Sequence, residues 1–211
     1  MLRLNLDKLK TVLCLGAHSD DIEIGCGGTV LKLIRERPGL SIVWIVFSAG
    51  GRRTREARVS ARAILQSAHK QKIVVKNFRT SFFPFQGEAI KEFFEELKDT
   101  VQPDLVFTHY REDRHQDHRL ISDLTWNTFR DHLVLEYEIP KYDGDLGVPN
   151  LFVQLKESCC QTKVDTLMEH FQTQQNKHWF SADTFFALMR LRGIECGTKY
   201  AEAFYCRKLI L

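Results

Sequence analysis

Apolar runs alternate with amphipathic segments along the first half of the chain. Residues 11–17 and 41–47 are predominantly apolar and lack the polar alternation of a half-exposed strand, so we predict two parallel strands covered on both faces. Residues 29–37 carry apolar side chains at helical spacing before a Pro-Gly pair, and residues 54–68 are predicted as a basic helix. The chain therefore begins with a βαβα pattern.

The pattern continues less regularly towards the C-terminus. Such alternation predicts an α/β fold: a Rossmann-like, three-layer α/β/α arrangement with a mostly parallel sheet, right-handed crossovers and C-terminal elaborations. No linker or repeat interrupts it, so we expect one domain over residues 1–211. The later predicted elements are a short strand at 73–75, a helix at 88–100, a strand at 104–108, a helix ending near 130, strands at 134–139 and 151–155, and helices near 162–172 and 182–192.

The composition excludes several classes of protein. Hydrophobic residues make up 44% and charged residues 27% of the 211 residues, which is typical of a globular protein and not of a disordered one. The 30 Lys and Arg against 27 Asp and Glu are scattered, so we expect no nucleic-acid partner. Six cysteines without a CxxC pair indicate a reduced protein. The lack of a signal-peptide pattern or a long apolar run predicts a cytoplasmic chain without stable membrane insertion.

Two polar loops follow predicted strands and carry the most distinctive chemistry. The first contains His18 and Asp21, and the second spans residues 114–119. Because ligands in open α/β sheets bind beyond the carboxyl ends of the strands, we expect the two loops to meet. His18 and Asp21 can converge in a tight turn and His118 can add a third ligand, a set suited to Zn²⁺ with one open position for water. Fe²⁺ or Co²⁺ could occupy the same ligands.

Three neighbouring side chains are candidates for the other catalytic roles. Asp20 could accept a proton from the attacking water, and His115 could protonate a leaving amine or stabilise an oxyanion. Asp117 could orient one imidazole through a hydrogen bond. The simpler alternative is that Asp20 and Asp21 cap the following helix and that residues 115–118 are a solvated helix start. The position of both loops after parallel strands favours the metal site, because capping alone does not predict the second loop.

The two loops resemble the signature motifs of a known family. AHSDDIEIGCGGT and RHQDHR are similar to motifs of the LmbE-like, or PIG-L, zinc-dependent de-N-acetylases, whose first motif usually reads AHPDD followed by a glutamate. Weaker similarities are an Arg-x-x-Glu segment at Arg53 and Glu56, and the C-terminal RGIECGTKYAEAF, which resembles the family's closing Ala-Glu-x-Phe. Ser19 stands where the family usually has proline, and Glu23 matches the family's glutamate displaced by one residue.

The resemblance implies a set of site residues and a reaction. It implies that His18, Asp21 and His118 bind zinc, that Asp20 is the general base and that His115 is the electrophilic or acid residue. The implied reaction removes the acetyl group from an N-acetylated amino sugar and releases acetate and a free amine. The sugar could be an N-acetylglucosamine-type glycoside, a nucleotide sugar or a carrier-linked sugar.

The pocket beyond these residues is less determined. Arg53 could hold a substrate hydroxyl or phosphate, and Tyr142, in the loop of residues 140–150, could contact the substrate as part of a lid. Three other functions stay open: an amidase acting on a thiol–sugar conjugate, a non-haem Fe(II) oxygenase with the same ligand set, and a sugar-binding protein without activity. The identity of the sugar and assembly into a homo-oligomer also stay open.

Overall fold

The computed structural model describes residues 4–210. Over this range the chain forms seven strands, six α-helices and two short 3₁₀ turns. None of these helices is both long and apolar enough to cross a membrane. The elements in chain order are β1 (Thr11–His18), α1 (Asp21–Glu36), β2 (Ser41–Ser48), α2 (Arg52–Leu65), β3 (Lys70–Val75), a 3₁₀ turn (Phe83–Gln86), α3 (Gly87–Thr100), β4 (Leu105–His109), α4 (Gln116–Thr128), β5 (Leu133–Tyr137), β6 (Leu151–Leu155), α5 (Glu157–His170), a second 3₁₀ turn (Gln172–Gln174), α6 (Ala182–Glu195) and β7 (Tyr200–Cys206).

The strands form one sheet in the order β3-β2-β1-β4-β5-β7-β6. The first five strands in this order are parallel, whereas β7 is antiparallel to both of its neighbours. Cys14 of β1 pairs with Trp44 of β2 on one side and with Phe107 of β4 on the other. The chain order therefore reverses at β1, and the loops after β1 and β4 leave the sheet side by side. This is the place where open α/β sheets bind ligands.

Helices cover both faces of the sheet and confirm the three predicted layers. Cys14 of β1 belongs to a core shared with α1, α2, α5 and α6, while Leu13 belongs to a second core beneath α3 and α4. Each core contains a fully buried aromatic side chain from β2, Trp44 in the first and Phe47 in the second. Burying a side chain such as Phe47 contributes roughly 1.5–3 kcal/mol.

Helix α1 begins at Asp21, eight residues before the start predicted from apolar spacing, so the GCGG segment is helical and not part of the loop. Glycines lower helix propensity and weaken the apolar pattern in this segment. Tertiary packing explains their presence. A Cβ atom at Gly25 would lie 2.1 Å from the Tyr137 ring, and one at Gly28 would lie 2.7 Å from Leu155. The glycines therefore allow α1 to pack closely against β5 and β6.

Strand β7 is absent from the sequence prediction, and it carries a buried charge, Glu202. One Glu202 carboxylate oxygen accepts a hydrogen bond from the Gly28 amide at 2.9 Å, and the other accepts from the Thr29 amide at 2.6 Å. The buried Lys163 ammonium of α5 donates to Glu202 and to the Ile24 carbonyl, both at 2.6 Å. In an uninterrupted α-helix the Gly28 amide donates to the Ile24 carbonyl. The Lys163–Glu202 pair thus contacts both groups of one helical hydrogen bond and joins α1 to α5 and β7.

Candidate active site

The two polar loops meet at the carboxyl edge of the sheet. β1 ends at His18 and α1 begins at Asp21, whereas β4 ends at His109 and α4 begins at Gln116. Because β1 and β4 are adjacent and parallel, their loops share one space. The Nδ1 atom of His18 lies 3.1 Å from the Nε2 atom of His118. The structure therefore brings together the two loops that the sequence singled out.

Three buried side chains, His18, Asp21 and His118, present a triangle of ligand atoms, here called the ligand triangle. The Oδ2 atom of Asp21 lies 3.4 Å from His18 Nδ1 and 3.5 Å from His118 Nε2, and the two ring nitrogens are 3.1 Å apart. Atoms that bind a tetrahedral zinc ion at about 2.0–2.1 Å lie roughly 3.3 Å from one another. The donor types and their spacing therefore fit a divalent ion.

Each imidazole of the ligand triangle contacts a carboxylate through its other nitrogen. His18 Nε2 lies 3.0 Å from Asp117 Oδ2, and His118 Nδ1 lies 2.9 Å from Asp113 Oδ2. The Lys141 ammonium donates to Asp113 at 3.0 Å. A carboxylate behind a metal-binding histidine fixes the ring orientation and raises its basicity, which is the role expected for Asp117. Sequence reasoning missed Asp113 and Lys141. The signal for Asp113 was its position directly before the second loop, and that for Lys141 was its place in the loop of residues 140–150.

Electrostatics leave the two imidazoles of the ligand triangle in different states. Burial, reinforced by the nearby His109 ring, lowers the pKa of His118 to about 3, so this ring is neutral and can offer a lone pair. Burial also acts to lower the pKa of His18, but the carboxylates of Asp21 and Asp117 outweigh it and raise the pKa to about 9. The carboxylates of Asp21 and Asp117 thus favour a positive charge at His18, whereas burial disfavours one at His118.

Asp20 stands at the N-cap position of α1, yet its side chain makes no capping hydrogen bond. Its buried carboxylate faces the partly exposed Arg53 guanidinium, whose Nη2 atom lies 3.4 Å from Asp20 Oδ1. Burial and the neighbouring Asp21 carboxylate raise the pKa of Asp20, and Arg53 opposes them. Ser19, at the position where the family usually has proline, is buried and accepts a hydrogen bond from Arg53 Nε at 3.1 Å. The capping alternative is therefore wrong for Asp20, and Arg53 holds the loop that carries it.

His115 caps α4 with its ring, and this contact determines where the ring proton lies. The Nδ1 atom accepts a hydrogen bond from the Asp117 amide at 3.2 Å, so the proton of the neutral ring is on Nε2. The ring centroid lies 4.8 Å from that of His18 and 4.6 Å from that of His118. Burial and the His18 charge lower the pKa of His115. The ring is therefore a neutral N–H donor beside the ligand triangle, as an oxyanion-stabilising role requires.

His109, at the end of β4, is a site residue that the sequence prediction missed. It is buried, its ring stacks on that of His118 with centroids 3.9 Å apart, and its Nε2 atom lies 3.2 Å from Asp21 Oδ2. The same atom accepts a hydrogen bond from the Ala17 amide at 2.9 Å, while Nδ1 has no partner among residues 4–210. Asp21, His109 and His118 form a second group of ligand atoms within 4.8 Å of one another. A histidine at the last position of a strand was the available signal.

Tyr142 lies in the loop between β5 and β6 and is 69% exposed. Its ring contacts that of His178, with centroids 5.7 Å apart. In the described part of the chain, no hydrogen bond or aromatic contact joins Tyr142 to the ligand triangle. Lys177 directly precedes His178, and its charge lowers the pKa of Asp20, although less than burial and the nearer charges change it. The segment that contacts Tyr142 is therefore within electrostatic reach of the site. A substrate contact by Tyr142 stays a prediction.

Comparison with known proteins agrees with the motifs. A protein-family model described as PIG-L, GlcNAc-PI de-N-acetylase, matches residues 13–129. This range extends from β1 to the end of α4 and contains both polar loops. A protein of Escherichia coli K12 described as the uncharacterized deacetylase YaiS is 27% identical over 173 residues, which cover 78% of this chain and 92% of that protein.

Two solved structures share the fold and differ in activity. The N,N'-diacetylchitobiose deacetylase from Pyrococcus horikoshii is similar with a TM-score of 0.69 at 21% identity, covering 94% of this chain and 84% of that chain. GalB, the 4-carboxy-2-hydroxymuconate hydratase from Pseudomonas putida KT2440, has a TM-score of 0.75 at 15% identity, covering 96% of this chain and 98% of that chain. Because one fold serves a deacetylase and a hydratase, the reaction must be argued from the residues of the site.

Proposed function

The chain belongs to the PIG-L family of de-N-acetylases, and on that premise we propose that it is a metal-dependent hydrolase that removes the acetyl group from an N-acetylated amino sugar. The products are acetate and a free amine. The observation that carries the proposal is the ligand triangle of His18, Asp21 and His118. Next to it in the chain is the buried carboxylate of Asp20, which makes no capping hydrogen bond to α1.

Zinc is the ion that we propose for this site. Two imidazoles and one carboxylate at tetrahedral spacing are a common ligand set of catalytic zinc sites. When bound, the ion would polarise the acetyl carbonyl and strengthen water as a nucleophile. Fe²⁺ and Co²⁺ accept the same ligand types, so elemental analysis of the purified protein decides between them.

The residues of this chain supply the proton transfers and hold each group in place. Asp20 accepts a proton from the water whose oxygen forms the new bond to the acetyl carbon. His115 donates a hydrogen bond from Nε2 to the carbonyl oxygen as negative charge develops there. The proton held by Asp20 passes to the nitrogen as the C–N bond breaks. Asp117 keeps the His18 ring oriented, and Arg53 holds the Asp20 carboxylate.

The substrate class follows from what the relatives share. The similar Pyrococcus protein is a deacetylase of N,N'-diacetylchitobiose, and the family model is described for GlcNAc-PI. Both descriptions contain an N-acetylated amino sugar, which supports this class for the present chain. Arg53 and Tyr142 are the proposed substrate contacts, Arg53 because its partly exposed guanidinium borders Asp20 and Tyr142 because it is exposed in the loop before β6.

Acetate release is the direct test of the proposal. The panel contains N-acetylated monosaccharides, disaccharides, nucleotide sugars, glycolipids and a thiol–sugar conjugate, each assayed with and without a chelator. We expect acetate from at least one amino sugar and loss of that activity on chelation. Oxygen uptake that depends on Fe(II) without acetate would indicate an oxygenase, and metal binding without turnover of any compound would indicate a sugar-binding protein. Either result would contradict the proposal.

The Asp20→Asn variant tests the proposed base independently of the metal ligands. We expect turnover to fall by about 10²–10⁴-fold, the usual contribution of a general base, while the metal content stays near that of the wild type because Asp20 is outside the ligand triangle. Ser19→Ala is the matched control, since it removes a neighbouring partner of Arg53 and leaves the carboxylate in place. An Asp20→Asn protein with full activity would refute the assignment.

Cellular location and partners stay predictions. All six cysteines are unpaired, which supports a reducing compartment such as the cytoplasm. The expectation of no nucleic-acid partner and the number of subunits are tested by gel shift and by analytical ultracentrifugation.

A further inference from the structure

We propose that Arg79, Phe82 and Phe85, here called the aromatic subsite, bind a second sugar ring that is linked to the acetylated sugar of the substrate. The proposal rests on the proposed function and assigns a place to the part of the substrate beyond the reacting acetamide. The three residues lie between β3 and α3, in and just before the first 3₁₀ turn.

The segment that carries the aromatic subsite is attached to the candidate active site through Asp117. The Ser81 amide donates to Asp117 Oδ2 at 2.6 Å, and the Phe83 amide donates to Asp117 Oδ1 at 3.2 Å. The same carboxylate contacts His18 Nε2 at 3.0 Å, and the centroid of the buried Phe83 ring lies 6.1 Å from that of His18. The backbone of Phe82 is therefore held on both sides by the carboxylate that orients a residue of the ligand triangle.

Hydrogen bonds hold this segment in one conformation although part of it is exposed. Ser81 is the only non-glycine residue with a positive φ among residues 4–210, at 66°. Two hydrogen bonds hold this conformation: the Ser81 amide donates to Asp117, and the Gln116 side chain donates to the Ser81 carbonyl. The Arg79 amide donates to Gln86 Oε1 at 3.2 Å, and Gln86 Nε2 donates to the Arg79 carbonyl at 3.1 Å. A strained residue kept in place by its surroundings is typical of functional segments.

The exposed face of the segment combines two aromatic rings with a guanidinium that contacts one of them but makes no hydrogen bond to any of residues 4–210. Phe85 is 81% exposed and Phe82 is 37% exposed, and their ring centroids are 6.0 Å apart. The Arg79 guanidinium lies 3.5 Å from the Phe82 centroid, and it makes no hydrogen bond or ion pair within the part of the chain that the structure describes. Aromatic faces pack against the C–H groups of a pyranose ring, and guanidinium N–H groups donate to its hydroxyls.

The size and chemistry of the patch favour one sugar ring over a lipid surface. Phospholipid headgroups would also accept hydrogen bonds from Arg79, but membrane association by a protein surface requires a larger apolar face or several basic residues. Two rings and one guanidinium match a single polar ring with one apolar face. Because the backbone on both sides of Phe82 is bonded to Asp117, we expect that ring to follow directly on the sugar whose acetyl group is removed.

The test measures binding separately from turnover. Zinc-loaded Asp20→Asn protein is titrated with N-acetylglucosamine and with its β-1,4-linked disaccharide by isothermal titration calorimetry. We expect Phe85→Ala in this background to raise the Kd of the disaccharide by about two- to tenfold, the range of an aromatic contact, and to leave the Kd of the monosaccharide unchanged. Arg79→Met should weaken disaccharide binding in the same way. Leu191→Ala, which removes an exposed apolar side chain from α6, is the matched control and should change neither value.

Several results would overturn the aromatic subsite. These are no measurable disaccharide binding, equal effects of Phe85→Ala on both sugars, and no effect on either. Loss of binding to vesicles of anionic phospholipid in Phe85→Ala, with disaccharide binding intact, would assign the patch to a membrane instead. Acetate release by the zinc-loaded wild type tests the proposed function independently. A Phe85-dependent preference without acetate would keep the subsite and reject the deacetylase, whereas acetate without that preference would reject the subsite alone.

Discussion

Replacing Lys163 with methionine tests how strongly α1 depends on its buried ion pair. The side chains of Lys163 and Glu202 are 4% and 3% exposed, and their charged atoms lie 2.6 Å apart. Methionine keeps most of the volume, but it leaves the Glu202 carboxylate without a counter-charge and the Ile24 carbonyl without its side-chain donor. Breaking a buried pair in this way costs about 3–5 kcal/mol of folding free energy.

Thermal and urea unfolding measure this loss. For a chain of this length 1 kcal/mol corresponds to a Tm change of about 2–4 °C, so we expect Tm to fall by roughly 6–20 °C. The double variant Lys163→Met/Glu202→Gln should be more stable than Lys163→Met, because it leaves no unpaired charge buried. A Lys163→Met protein as stable as the wild type, or a double variant less stable than the single one, would refute the reasoning.

Arg192→Met is the matched control that separates a general loss of stability from an effect of Lys163→Met on metal binding. Arg192 and Glu138 form a second buried ion pair, with side chains 9% and 4% exposed and charged atoms 2.6 Å apart. Within residues 4–210, no hydrogen bond joins either of them to α1. Both single variants should lose similar stability, but only Lys163→Met should weaken metal binding in a chelator competition, because α1 carries Asp21. Equal metal affinities in the two variants would contradict a link between the ion pair and the site.

Three other changes have defined outcomes. Gly25→Ala adds a Cβ atom 2.1 Å from the Tyr137 ring and should destabilise the protein by roughly 1–3 kcal/mol in urea unfolding; an unchanged midpoint would argue against the packing. Asp117→Asn removes the charge behind His18 and should lower metal affinity or activity by about 10–100-fold, and wild-type affinity in a chelator competition would speak against the orienting role. Burial raises the pKa of the Cys160 thiol to about 12, so at lower pH the group stays protonated and unreactive. Mass spectrometry after native alkylation should find Cys160 unmodified until the chain is unfolded, and rapid native labelling would contradict this.

The local sequence determined the parallel part of the sheet and the identity of the ligand triangle. β1, β2 and β4 are apolar runs because both of their faces are covered, and this property is visible in each segment by itself. His18, Asp21 and His118 could be proposed as metal ligands because metal coordination restricts both the residue types and their spacing. The position of the two loops after strands was enough to predict that they meet.

Only the tertiary structure decided where α1 begins, what balances Glu202 and which groups support the ligand triangle. Helix propensity counts Gly25 against a helix, yet the missing side chain is what allows Tyr137 to pack on α1. Glu202 contacts Gly28 across 174 residues of chain, and His109 contacts the β1 backbone across 92 residues. A hydrophobic pattern records which side of an element is buried, because burial repeats with the period of the helix or strand. A single contact with a distant charge or ring has no period, so it is decided only when the chain has folded.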